Sequence, residues 1–293
     1  MMNRKMGIAV AVTMMSVALG FSDNMFSDGR QGNGFDYPDQ PYEYRITLDD
    51  IKHILTHDTE KSDPMDKLNA DLDKLSSDAA TKKVPENKVD PEGIRSLAEE
   101  GNPHFQFYLG RCYARGEGVA QDYEQALHWY TLSAEQNDSK AQNNLGCLYL
   151  NGYGTPQDYQ KALHWFDLSA EQNNTYAYLN LGEMYQNGLG VQQDYKKAMV
   201  YYQKAEKLGE SAAYDAIGHM YEQGLGVSKS AKKAFKNFET GAKNGYPPCQ
   251  YDVAVAYRDG IGVKKNATEA KKWFSIAAQN GFEKAKAALA EMK

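Results

Sequence analysis

Few residues in this sequence could carry chemistry, and their spacing decides what each can be. Gly-x-Gly occurs at Gly116/Gly118, Gly152/Gly154, Gly188/Gly190, Gly224/Gly226 and Gly260/Gly262, which invites a phosphate-cradle reading. A phosphate loop follows a strand, opens a helix and usually brings a lysine, whereas these triplets follow helical patterns and recur at a fixed interval. His53 and His57 stand four apart, a spacing that puts two imidazoles on one helical face, but no Glu follows His53 and no third ligand is in view, so a solvated helix is the better reading. His128 and His164 are 36 residues apart and reflect repetition; neither joins a Ser or Cys triad. Ser230-Ala231-Lys232-Lys233 has the Ser-x-x-Lys form of penicillin-interacting enzymes without its companion motifs. Cys112, Cys147 and Cys249 are odd in number, so they make no disulfide framework. One bridge between Cys112 and Cys147 is conceivable, and the plainer reading is small buried apolar side chains. No cofactor and no metal site is expected.

Composition narrows the function classes further. The 293 residues carry 33 Lys plus Arg and 39 Asp plus Glu, for a net charge of -6. That balance disfavours a nucleic-acid binder, which needs a basic face. The acidity is local: residues 21 to 93 carry nine positive and 17 negative side chains, and the chain beyond them 22 of each. Tyr is abundant, at 21 against 10 Phe and 3 Trp, which suits thin layers of structure where a polar tip reaches water. At the N-terminus Arg4 and Lys5 precede an uncharged, mostly apolar run from Met6 to Leu19, and Ala18-Leu19-Gly20 offers small residues for cleavage. Residues 1–20 therefore read as a signal peptide; the run is short of the roughly 20 residues a membrane span needs, and an uncleaved anchor is the alternative. The mature chain is expected in the periplasm or outside a bacterial cell.

The elements that must position any site are set by a repeat. Tyr113, Tyr149, Tyr185, Tyr221 and Tyr257 are spaced by 36 residues without a slip, as are both glycines of each triplet, Ala126, Ala162, Ala198, Ala234 and Ala270, and the aromatics Tyr130, Phe166, Tyr202, Phe238 and Phe274. Within one copy Phe105, Leu109, Cys112 and Tyr113 fall three and four apart, the spacing of one helical face. This is helix A, and the glycine triplet stops it. Asp122, Asp158 and Asp194 stand where an N-cap belongs, and Ala126, Leu127, Trp129, Tyr130 and Ala134 give the apolar face of helix B.

The segment Leu145-Gly146, Tyr149, Gly152, Gly154, Asp158, Lys161-Ala162, Trp165-Phe166 and Ala170 resembles the Sel-one-like repeat family, a relative of the tetratricopeptide repeat. The resemblance covers residues 91 to 293 and implies an all-α fold: a right-handed α-solenoid of 36-residue helix-turn-helix repeats, about 103–138, 139–174, 175–210, 211–246 and 247–282, with a concave inner face. Repeat four departs from the pattern at Ser230 and Asn237, and repeat five at Ala254, so those repeats are expected to stack less tightly. Terminal repeats need capping helices, read here at residues 91 to 101 behind Asp90-Pro91 and at residues 283 to 293. Residues 21–90 read as an acidic tether, largely disordered, with short amphipathic helices after Thr47 and Asp63-Pro64.

The resemblance also places helix A on the concave face. The inward positions are those two before, two after and five after the Leu of Leu-Gly: Phe107, Arg111 and Ala114; Asn143, Cys147 and Leu150; Leu179, Glu183 and Gln186; Asp215, His219 and Glu222; Tyr251, Val255 and Arg258. Such a groove has apolar spots, a carboxylate-rich middle and an Arg near each end, which suits a peptide or protein segment with a cationic centre. The expected function is an exported, non-catalytic protein-protein interaction scaffold that engages no nucleic acid and, after signal cleavage, has no membrane span. Two alternatives stand beside it. One is a β-lactam or cell-wall hydrolase, an activity of cysteine-rich relatives whose paired cysteines this chain lacks. The other is a peptidoglycan or glycan binder using groove Tyr and Asn residues.

Overall fold

The computed structural model describes residues 91–292 of the 293-residue chain. The expectations placed on residues 1–20 and 21–90, the His53/His57 pair included, lie outside the described residues. Among the described residues there are twelve α-helices and no strand. A short helix α1 (Pro91–Glu99) leads into five helix A/helix B pairs: α2 (Pro103–Arg115) and α3 (Tyr123–Glu135), α4 (Ser139–Asn151) and α5 (Tyr159–Glu171), α6 (Thr175–Asn187) and α7 (Tyr195–Lys207), α8 (Ser211–Gln223) and α9 (Ala231–Lys243), α10 (Pro247–Asp259) and α11 (Ala267–Gln279). A last helix, α12 (Glu283–Glu291), packs on α11. Each helix packs chiefly on its neighbours in sequence, the one-dimensional contact pattern of an α-solenoid. Among the described residues no helix is long and apolar enough to cross a membrane.

Local chemistry fixes the helix boundaries. Asp122, Asp158, Asp194, Ser230 and Asn266 each accept from backbone N–H groups in the first turn of their helix B, satisfying donors the helix leaves open. Helix A is capped the same way by Asn102, Asp138, Asn174 and Glu210. In repeat five Tyr246 makes no side-chain cap and Pro247 opens the helix instead. The A-to-B turn closes identically in all five copies. The cap residue donates its backbone N–H to the carbonyl of the recurring tyrosine, as Asp158 does to Tyr149 at 2.8 Å. Gly152 ends α4 at φ 72°, and Gly154, at φ 67°, lies so near the start of α3 that a Cβ there would stand 2.3 Å from the Tyr123 carbonyl oxygen. This second glycine of the triplet is therefore a contact point between repeats as well as part of a turn.

The core runs as a thread through the stack. Leu109, Leu145 and Leu181 are fully buried, and the helix B aromatics Tyr130, Phe166, Tyr202, Phe238 and Phe274 are buried beside them. Each fully buried large apolar side chain contributes roughly 1.5–3 kcal/mol. In the first four repeats the ring lies against the bare backbone of a helix A glycine: a Cβ on Gly146 would stand 2.6 Å from Phe166 Cε1. The Leu-Gly pair and the aromatic 20 residues later thus set how closely helix A meets helix B.

The departures in repeats four and five leave the two helices within each repeat packed much as in the others. The Ser230 hydroxyl still accepts from the Lys233 N–H at 3.3 Å, and Asn237 donates to its own helix at the Lys233 carbonyl, 2.9 Å away. Ala254 brings a methyl group where the other repeats have Gly, yet both it and Phe274 remain fully buried.

Candidate functional site

The helix A wall divides by depth. Phe107, Asn143, Leu179 and Gln186 are buried, while Arg111, Ala114, Cys147, Leu150, Glu183, Asp215, His219, Glu222, Tyr251, Val255 and Arg258 are partly exposed. Two before the Leu, Phe107, Asn143 and Leu179 sink while Asp215 and Tyr251 do not, and at Asn143 the next repeat leans over. Asn180 of α6 donates to Asn143 Oδ1 at 2.9 Å and also reaches Cys147 Sγ at 3.7 Å. Asp252 of α10 reaches across to α8 in the same way. Gln186 is turned inward to accept from the Tyr202 hydroxyl at 3.1 Å. Of the positions two and five after the Leu or its counterpart, all but Gln186 keep some exposure.

Charge along this wall is uneven. Helices α6 and α8 contain no Lys or Arg. Arg111 lies over the Tyr108 ring with Nε 3.6 Å from Glu117 Oε2, and Arg258 pairs with Asp259 at 2.7 Å, so the cations near each end are already engaged. Glu183 has no hydrogen-bond or ion-pair partner among the described residues, and burial pushes its carboxyl up to about 7. Next along the wall, His219 Nδ1 is 3.2 Å from Glu222 Oε2, and its Nε2 lies 3.4 Å from Asp252 Oδ2 and 3.8 Å from Asp215 Oδ2. Burial works against protonation of His219, but the Asp252, Asp215 and Glu222 carboxylates outweigh it and hold the imidazole up at about 9. Burial and the Asp252 charge raise the Asp215 carboxyl. Asp252 is the member of this group that the sequence did not single out.

The other candidates are occupied elsewhere. All three cysteines are free. Burial pushes the Cys112 and Cys147 thiols up to about 12 and Cys249 well above its ordinary value, so none supplies a thiolate at neutral pH. Lys233 holds its ammonium 5.0 Å over the Tyr221 ring while the Ser230 hydroxyl serves as a helix cap, an arrangement that does not pair nucleophile with base. His128 and His164 lie edge-on to Trp129 and Trp165.

Comparison with known proteins agrees with this architecture. The Sel1 repeat model matches residues 103–138, 139–174, 175–210, 211–246 and 247–282. The chain is similar to the crystal structure of a Sel1 repeat protein from Oxalobacter formigenes, with 34% identity and a TM-score of 0.62 over 68% of this chain and 80% of that one. It is also similar to c5321, a protective antigen of uropathogenic Escherichia coli strains displaying an SLR fold, with 29% identity and a TM-score of 0.61 over 79% of this chain. The match spans 52% of c5321, about half its length. None of the curated proteins matches the chain. With five consecutive repeats matched over more than half of its residues, the chain belongs to the Sel1 repeat family.

Proposed function

We infer that this protein is an exported, non-catalytic scaffold whose helix A wall binds a peptide or protein segment with a cationic centre. Sel1 repeats generally mediate protein-protein interaction, and the concave side of a solenoid is the surface such proteins commonly use. The observation that carries the reading is Glu183: a half-buried carboxylate without a partner among the described residues, on a helix lacking Lys and Arg, with the Asp215, Glu222 and Asp252 carboxylates in the following repeats. A cationic side chain arriving there would meet a charge already stripped of water, where attraction is stronger than at an exposed site. Export rests on the character of residues 1–20.

The test is a photo-crosslinking side chain placed at Leu150, on the wall, and at Val200, which is exposed on the helix B α7, in the full chain within the native cell envelope. A captured protein at Leu150 that is absent at Val200, and lost when Glu183→Lys and Glu222→Lys are combined, supports the reading. Asp215 is left intact because a lysine at its buried place would disturb the fold. Equal capture from both positions, or capture indifferent to the charge reversal, removes the wall from the account.

A further inference from the structure

We propose that Asp215, His219 and Asp252 form a site for a divalent transition cation of the zinc type, bound through His219 Nε2 and one oxygen of each aspartate, with Glu222 as the positioning residue behind the imidazole. The site does not depend on the capture of any partner.

Two repeats build it. Asp215 and His219 are four apart on α8, so they share a helical face, and Asp252 comes from α10 of the next repeat. Together the three bring one imidazole nitrogen and two carboxylate oxygens within 4.8 Å of one another. The separations of Nε2 from the Asp252 and Asp215 carboxylates are 3.4 and 3.8 Å. They lie close to the edge of a tetrahedron, about 3.3 Å, drawn by nitrogen and oxygen ligands at zinc's ordinary bond lengths. A small cation between the donors would need the Asp215 oxygen to draw in by about 0.5 Å.

The surroundings match such a role. Glu222 Oε2, 3.2 Å from Nδ1, takes the Nδ1–H, so that a cation displacing the Nε2 proton would meet that nitrogen facing the aspartates, the second-sphere arrangement that orients metal-bound histidines. Phe238 lies edge-on to the imidazole at 5.0 Å and fixes the ring plane. The Cys249 thiol donates to Asp215 Oδ1 at 3.6 Å, so Oδ2 is the oxygen left toward the centre. Beside Glu222 and Asp252 a recess of about 30 Å³, lined also by Phe238 and Val255, has room for one water. Two carboxylates brought together in a half-buried place repel each other, and a divalent cation neutralises them. An imidazole in the donor set favours a zinc-like ion over calcium or magnesium, which prefer all-oxygen shells.

The purified full-length chain, stripped with a chelator, is titrated with Zn²⁺ by calorimetry and with Co²⁺ followed by visible absorption. The expected result is saturable binding of Zn²⁺, a Co²⁺ spectrum of nitrogen and oxygen ligands without a thiolate charge-transfer band, and a thermal midpoint raised by Zn²⁺. Asp252→Asn and His219→Gln should each weaken the ion at least about tenfold, and Glu222→Gln about tenfold, with helical circular dichroism retained. Should the first two variants lose their helical signal, Glu222→Gln decides, since that side chain is 41% exposed and its loss leaves the packing intact. No saturable binding means that a proton alone holds these side chains together, and it overturns the proposal. Binding at full strength in the variants, or a thiolate band, overturns it as well. Because the titration contains no partner, its failure leaves the crosslinking reading standing, and the reverse also holds.

Discussion

A Cβ atom added to Gly182 would stand 2.4 Å from Cε1 of Tyr202 and 2.6 Å from its Cδ1. The ring is buried and its hydroxyl donates to Gln186, so it cannot swing aside freely. Alanine is the better helix former by about 1 kcal/mol, but overpacking a closed core costs about 1–3 kcal/mol and the lost buried hydrogen bond about 1 kcal/mol more. Gly182→Ala should therefore lower stability by about 1–3 kcal/mol. Gly218→Ala faces Phe238, which has no hydroxyl to lose, so its loss should be smaller. Ala254 already sits opposite Phe274 in repeat five, which indicates that a helix pair without such a bond can absorb the methyl group. Thermal midpoints of the two variants check the ordering, and an equal or reversed ordering would remove the Tyr202–Gln186 bond from the explanation.

Two glycines with positive φ should respond in opposite ways. Gly209, at φ 87°, has nothing within 4 Å of its Cβ direction, and at the equivalent place the chain already carries Asn137 and Asn173 at φ 67° and 61°. Gly209→Asn should change stability by less than about 0.5 kcal/mol, because Asn accepts the left-handed region. Gly154→Asn meets the Tyr123 backbone at 2.3–2.4 Å, and neither partner is a flexible chain end. A loss of more than about 2 kcal/mol is expected, from overpacking added to the strained backbone. A tolerated Gly154→Asn in thermal unfolding would show that the repeats can part at this contact.

These contrasts also mark what could be read without coordinates. The paired helices and their stops were legible because Tyr149, Gly152, Gly154 and Asp158 recur in register, and each has a local physical role at a helix end. Depth along the wall was not legible. Asn143 and Leu179 share a helical side with Cys147 and Glu183, but whether they are covered depends on how far the next repeat leans across, which no single repeat encodes. Asp252 was missed for the same reason, since its partners His219 and Asp215 lie 33 and 37 residues earlier in another repeat. A usable signal existed: Asn144, Asn180 and Asp252 occupy one register position, directly before the Leu-Gly pair or its counterpart, and a recurring polar residue on a packed helix asks for a partner.

The thiols offer a direct check on burial. Cys112 and Cys147 are held up at about 12 and Cys249 well above its ordinary value, in each case chiefly by burial. Only the thiolate attacks the sulfur of a disulfide reagent, releasing the reagent's other half as its thiolate, so at pH 8 the native chain should react at least about 100-fold more slowly than the chain in denaturant. All three should become titratable once it unfolds. Rapid labelling of one thiol in the native state would locate a place where the stack opens readily, and labelling of Cys147 would locate it between α4 and α6.

The last expectation concerns pH and Glu183. Its carboxyl is raised by burial from an ordinary 4.5 to about 7 in the folded chain, so the folded state holds the proton more tightly than the unfolded one. Stability from this residue is then fully present below pH 4.5 and is lost as pH rises through about 7, by about 1–3 kcal/mol when the charge is complete. Gln has nearly the same shape and never ionises. Glu183→Gln should therefore match the unmodified chain near pH 4 and exceed it in thermal midpoint at pH 8, the gap opening between those limits. An equal midpoint at pH 8 would mean that Glu183 finds water or a cation already in the free protein, and the argument for a desolvated charge awaiting a cationic partner would fall with it.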